Sequence, residues 1–147
     1  IHPCGLSTTT GMATLSVSDA HPGESTLRES LASSTADRTI DVRMTTLTEV
    51  FADGYASTPT LLKLDVEGAE FDVLAGGETL LERTQPELII ELHSQSLDPK
   101  SDEFTTGIEL LLRAGYDTAR HIESGREYPL STLEIDMVEH GMHLHIA

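Results

Sequence analysis

Asp65-Val66-Glu67 and Glu91-Leu92-His93 are two places where residues able to do chemistry fall close together in this chain. Each stands at the end of a short apolar run, Leu61-Leu62-Lys63-Leu64 in the first case and Leu88-Ile89-Ile90 in the second. Carboxylates accept protons and attract cations, and an imidazole has an unperturbed pKa near operating pH. A histidine among carboxylates therefore suits removal of a proton from a hydroxyl, with His93 as the base and Asp65 orienting a bound group. Glu67 and Glu91 are polar supports in that scheme. The same four side chains also form an oxygen-rich donor set for Mg²⁺, Ca²⁺ or Mn²⁺, and residue type alone leaves both readings open. Glu70 stands where a helix is expected to begin, so its plain role is to complement the helix dipole. Lys63, inside an apolar run, is expected to snorkel or to pair with a nearby carboxylate. His140, His143 and His145 look like a metal cluster. However, His143 and His145 alternate about Leu144 on an expected strand and no cysteine completes a site, which favours a structural role.

The elements around these residues decide whether they meet. Residues 61–65 read as a strand covered on both faces. If the chain stays extended beyond it, Asp65 and Glu67 fall on one side. Gly68 permits a turn, and from Phe71 the apolar spacing becomes helical. Residues 71–83 supply a crossover helix, with Gly76-Gly77 as a break or kink, and residues 87–93 form the next strand. A strand, a helix and a parallel strand of this length make a right-handed βαβ unit. Such a unit sets Asp65, Glu67, Glu91 and His93 along one rim, at the carboxyl ends of the strands, where open α/β sheets bind ligands.

Elsewhere, residues 1–7 read as a strand. Residues 13–17 and 39–44 alternate apolar and polar positions and are expected to pair as an antiparallel ribbon. Between them, residues 19–37 are rich in Ser, Thr, Gly, Pro and charge, the composition of a mobile, substrate-facing loop. Thr46 and Glu49 have capping-box spacing for a short helix to Ala52, followed by Asp53-Gly54. Residues 94–101 form a polar loop. A helix over residues 103–114 carries Phe104, Ile108, Leu111 and Leu112 on one face and ends at Gly115. Strands are expected over residues 116–122 and 142–146, with a charged turn over 123–128 and a short helix around Met137 and Val138.

The whole chain is 147 residues, one domain or part of one. Its 25 acidic residues face 9 basic ones for a net charge of −16, and Lys63 and Lys100 are its two lysines. That field excludes nucleic acid and anionic membranes as partners, since phosphate contacts need Lys and Arg. Acid excess with so few lysines suits a halophile's cytoplasm, and an acidic mesophilic protein is the plainer alternative. Cys4 is the single cysteine, which leaves no disulfide framework and no cysteine zinc site. No stretch reaches membrane-spanning length and no signal peptide is visible, so a cytoplasmic location is expected.

Leu61-Leu62-Lys63-Leu64-Asp65-Val66-Glu67-Gly68-Ala69-Glu70, then Val73-Leu74-Ala75-Gly76-Gly77 and Pro86-Glu87-Leu88-Ile89-Ile90-Glu91-Leu92-His93, resemble the FkbM family of methyltransferases. The likeness is specific over residues 61–93. It is looser over 1–51, where His2-Pro3-Cys4-Gly5-Leu6-Ser7 and Met44-Thr45-Thr46-Leu47-Thr48 match family segments, and it thins to a general pattern after residue 100. The resemblance implies methyl transfer from S-adenosylmethionine (SAM) to a hydroxyl of a saccharide or secondary metabolite. It also implies a Rossmann-like class I methyltransferase sheet with the antiparallel ribbon inserted. In that fold the third strand ends beside the cofactor's adenine, which brings Gly5 and Leu6 to the cofactor along with Asp65.

The family's glycine-rich cofactor loop has no counterpart here, since no G-x-G-x-x-G or similar cluster follows any strand. The sheet is accordingly expected to be incomplete, with its first two βα units absent, and residues 1–147 to form a partial domain that binds SAM poorly alone. The missing strands would leave residues 61–65 with an open edge and a route to self-association. A non-catalytic remnant or interaction domain, and a metal-dependent enzyme using the acidic rim, are the competing functions.

Overall fold

The alternating stretch at the start of the chain forms a small sheet of its own. In the computed structural model, which describes residues 3–19, 37–52, 58–93, 102–134 and 141–147, β1 (Gly5–Leu6), β2 (Gly11–Val17) and β3 (Arg38–Thr45) assemble in the order β1-β3-β2. The expected ribbon is present: β2 and β3 pair antiparallel from Gly11 opposite Met44 to Val17 opposite Arg38. The expected strand over residues 1–7 is shorter, because only Gly5 and Leu6 pair, parallel to Met44 and Thr45. Helix α1 (Leu47–Ala52) opens on the reciprocal capping box. The Glu49 N–H donates to Thr46 Oγ1 at 3.1 Å, and the Thr46 N–H donates to Glu49 Oε2 at 3.2 Å.

The second sheet has five strands in the order β4-β5-β8-β6-β7. β4 (Leu61–Leu64) and β5 (Glu87–Leu92) run parallel, with Leu61 opposite Glu87 and Leu64 opposite Ile90. The crossover between them is two helices rather than one kinked helix, α2 (Glu70–Gly76) and α3 (Glu78–Thr84). Packing explains the glycine pair at the break. A Cβ on Gly76 would lie 2.1 Å from the Ser7 carbonyl oxygen, and one on Gly77 would lie 2.7 Å from Leu47. The break thus presses the crossover onto the end of β1 and onto α1.

Helix α4 (Glu103–Arg113) ends as expected at Gly115, whose φ of 95° needs no Cβ. The Tyr116 N–H reaches the Leu111 carbonyl and the Gly115 N–H that of Leu112, the paired bonds of a Schellman motif. The last strands are β6 (Thr118–His121), β7 (Glu127–Pro129) and β8 (Met142–Ile146). A 3₁₀ turn, Leu130–Thr132, follows β7. The charged stretch expected as a turn contributes a strand, since Glu127–Pro129 pairs antiparallel with β6. β8 enters between β5 and β6, antiparallel to both.

Residues 61–65 are not covered on both faces as expected, because among the described residues helices pack on one side only: the five-stranded sheet has a dry face and a wetter one. Leu64, Leu88, Ile90, Leu92, Ala119, Leu144 and Ile146 are buried against Leu74, Leu81 and Leu111 of the helices. Phe71 and Phe104 meet edge to face with centroids 5.7 Å apart. The alternate strand positions, Lys63, Glu87, Glu91, His143 and His145, are exposed or half-buried. β4 pairs with β5 alone among the described residues, and Leu61 on it is 51% exposed. No helix among these residues is long and apolar enough to cross a membrane. The expectations for residues 20–36, for Asp53-Gly54, for the loop at 94–101 and for Met137, Val138 and His140 fall outside the described residues.

Candidate active site

At the carboxyl end of β4 the chain does not stay extended. Glu67 has φ 51° and Gly68 φ 96°, so two successive left-handed residues swing the backbone from Asp65 into α2. A non-glycine residue in that region costs on the order of 1–3 kcal/mol and persists where its surroundings hold it. The idea that Asp65 and Glu67 share one side of an extended strand is therefore replaced by a tight turn, which still leaves both carboxylates at the rim.

The turn drives Glu70 inward. The residue is only 1% exposed, and its Oε1 accepts the Gly68 N–H at 3.1 Å. The same oxygen lies 2.7 Å from Nδ1 of His93, which is 6% exposed just beyond the end of β5. Glu70 thus does more than complement a helix dipole: it is the buried partner of the rim histidine. With Nδ1–H donating to Glu70, the neutral ring keeps its lone pair on Nε2. Nε2 faces the other carboxylates, 3.4 Å from Glu67 Oε2 and 3.7 Å from Glu91 Oε1. Burial of the ring disfavours its charged form. The Glu70 hydrogen bond and the charges of Glu70, Glu67 and Glu91 outweigh that and hold His93 above the usual histidine range.

Asp65 lies on the open side of the cluster. Its Oδ2 accepts from Lys63 Nζ at 2.8 Å, the carboxylate partner expected for that lysine. That hydrogen bond is the main reason the Asp65 carboxyl sits below its ordinary range, against a smaller opposing effect of burial. The Lys63 ammonium is raised in return. One ligand atom each from Asp65, Glu67 and His93 lie within 4.8 Å of one another. The fold thus brings Asp65, Glu67, Glu91 and His93 together.

β8 extends the network. Glu91 stands opposite His143 in register, and His143 Nε2 lies 3.2 Å from Glu91 Oε2. His143 Nδ1 meets Glu123 at 2.7 Å, and His145 Nε2 meets Glu87 at 2.9 Å. His143 and His145 are thus each matched to carboxylates across the sheet. The sequence signal for the His143–Glu91 contact is faint, an alternating strand with histidines on its polar face. Gly5 and Leu6 belong to the other sheet, where the α-carbon of Gly5 packs so closely on Met44 that a Cβ would lie 2.7 Å from its sulfur.

A family model described as the methyltransferase FkbM domain matches residues 1–118. No curated protein matches the chain. The crystal structure of methyltransferase FkbM from Methylobacillus flagellatus KT is similar in fold, with a TM-score of 0.52 and 16% identity. The similarity covers 99% of this chain and 28% of that one, so this chain spans well under half of that protein's length. At that identity the likeness is one of fold, a mixed α/β architecture with two sheets. The chain belongs to the FkbM methyltransferase family.

Proposed function

We propose that this chain is the carboxyl-terminal part of a SAM-dependent O-methyltransferase acting on a hydroxyl of a saccharide or secondary metabolite. The observation that carries the reading is the buried Glu70–His93 pair, which joins the start of α2 to the residue after β5 beside the carboxyl ends of two adjacent parallel strands. SAM supplies a methyl carbon already activated by its sulfonium. The Asp65, Glu67 and Glu91 carboxylates fit the positive charge of such a group, and Asp65, more open than the others, orients cofactor or acceptor. As the acceptor oxygen forms its bond to the methyl carbon and the carbon–sulfur bond breaks, the hydroxyl proton passes to His93 Nε2. Glu70 fixes the ring so that Nε2 accepts, and it stabilises the imidazolium that results.

Parallel β4 and β5 with antiparallel β8 beside them support a Rossmann-like class I sheet. In that reading two upstream βα units carry the glycine-rich loop, and Gly5 and Leu6 border the adenine. The side of β4 that no described strand covers is where such strands, or a second copy of the chain, would pair. The charge of −16 supports a cytoplasmic setting of high salt and a small, non-nucleic-acid acceptor.

The test compares SAM binding by calorimetry, in molar salt, for this chain and for one extended upstream. Binding only by the longer protein is expected. His93→Gln in that protein should lower methyl transfer by about 10²–10⁴-fold while leaving SAM affinity in place. An extended chain that does not bind SAM, or a His93→Gln protein with the parent rate, would sink the reading.

A further inference from the structure

We propose that the rim is also a divalent-cation site, formed by His93 Nε2, Asp65 and Glu67, with Glu91 beside it. The separations carry the argument. His93 Nε2 and Glu67 Oε2 are 3.4 Å apart, beyond the roughly 2.7–3.2 Å of an N–H···O hydrogen bond. Two donors bound side by side to one cation at about 2.1 Å stand roughly 3.0–3.4 Å apart. The Nε2–Glu67 spacing thus suits a shared ion better than a shared proton. Asp65 completes a set of three donor atoms within 4.8 Å, and Glu91 Oε1 lies 3.7 Å from Nε2.

A second, independent feature is the support behind the histidine. A ligating imidazole ordinarily donates its other N–H to a carboxylate, which fixes the tautomer and aims the ring. Glu70 does this at 2.7 Å from Nδ1 and is itself held by the Gly68 N–H. It stands outside the donor set, 1% exposed, so its role is to direct Nε2 outward. Charge points the same way. Four carboxylates, Asp65, Glu67, Glu70 and Glu91, gather about one ring, with Lys63 on Asp65 as a partial offset. One nitrogen with several carboxylate oxygens suits Mn²⁺ and related first-row dications.

The inference stands apart from the methyl-transfer reading. A cation on Nε2 occupies the lone pair that would take a proton, and it supplies Lewis acidity toward a bound hydroxyl instead. Proton and metal are alternative loadings of one site.

Mn²⁺ alone, without SAM or acceptor, is the probe, so the result does not depend on whether the chain transfers methyl groups. Mn²⁺ is titrated into the whole chain by calorimetry, and the bound ion is examined by electron spin-echo spectroscopy for coupling to nitrogen. One ion per chain with a nitrogen coupling is expected. Asp65→Asn and Glu67→Gln, on the open side of the rim, should each weaken it by about tenfold or more, and Glu70→Gln by about 10–100-fold. Lys63→Met should tighten it, and Glu82→Gln, on the exposed face of α3, should leave it unchanged. No binding below millimolar Mn²⁺ would overturn the proposal. So would bound Mn²⁺ without nitrogen coupling, or Asp65→Asn and Glu67→Gln proteins that fold and bind like the parent, since the ion would then sit on surface carboxylates.

Discussion

In β5, Leu88, Ile90 and Leu92 are 0%, 1% and 2% exposed, whereas in the β2–β3 ribbon only Val17 and Met44 are buried. The five-stranded sheet is held chiefly by apolar area removed from water on one face. The ribbon is held chiefly by its ladder of backbone hydrogen bonds, with most of its side chains exposed or half-buried. Such a ribbon keeps its pairing but offers no dry environment. The candidate site lies beside the other sheet, where a buried carboxylate–imidazole hydrogen bond such as Glu70–His93 has the rigid, water-poor walls that hold its geometry.

Truncating each sheet at one apolar position breaks this contrast most sharply. Leu144→Ala, at a side chain 1% exposed, should cost about 2–5 kcal/mol in urea unfolding. Ile40→Ala on the ribbon, at 40% exposure, should stay within about 0.5 kcal/mol. Equal losses at the two positions would erase the distinction.

Glycines sharpen it next. Gly76→Ala forces a Cβ against the Ser7 carbonyl, where α2 meets the end of β1, and should destabilise by about 1–3 kcal/mol. Gly11→Ala on the ribbon meets nothing within 4 Å and should be neutral or stabilise by about 0.4–1 kcal/mol. A tolerated Gly76→Ala would show that the two sheets do not dock as described.

A pH-dependent effect concerns alkali. Tyr116 is 3% exposed, and its hydroxyl donates to the Pro86 carbonyl at 2.7 Å, tying α4's exit to the start of β5. Burial pushes its pKa up to about 12 from the ordinary 10.0. The folded state holds this proton more tightly than the unfolded one, so the contribution is full below pH 10 and is lost as pH rises toward 12. Tyr116→Phe should cost about 1–3 kcal/mol near neutral pH, because the Pro86 carbonyl loses its donor. Its deficit relative to the parent should shrink above pH 10, and a constant deficit to pH 12 would contradict the assignment.

Much of the architecture was legible because it is written in local periodicity. The Leu-rich runs at 61–64 and 87–92, the helical spacing of Phe104, Ile108, Leu111 and Leu112, and the alternation of 13–17 and 39–44 each report a face that must be covered. Thr46 with Glu49, and Gly115, mark helix ends through bonds made within a few residues. Asp65, Glu67, Glu91 and His93 were legible as a group because a parallel βαβ unit sends both strand ends to one rim. Glu70 was not, since a carboxylate in a first helical turn is commonplace and its burial follows from the Glu67–Gly68 turn. The single-helix crossover failed because the closeness of Gly76 and Gly77 to Ser7 and Leu47 is a packing fact, invisible in spacing.

The sequence by itself determined most of the element types, the acidic surface and the rim that gathers four chemical side chains. Tertiary structure alone decided that Glu70 meets His93 across 23 residues and that β8 enters between β5 and β6 with His143 opposite Glu91. Local patterns arise from neighbours along the chain. Those pairings are selected by the sum of many weak contacts between distant segments, a quantity that no single window of sequence contains.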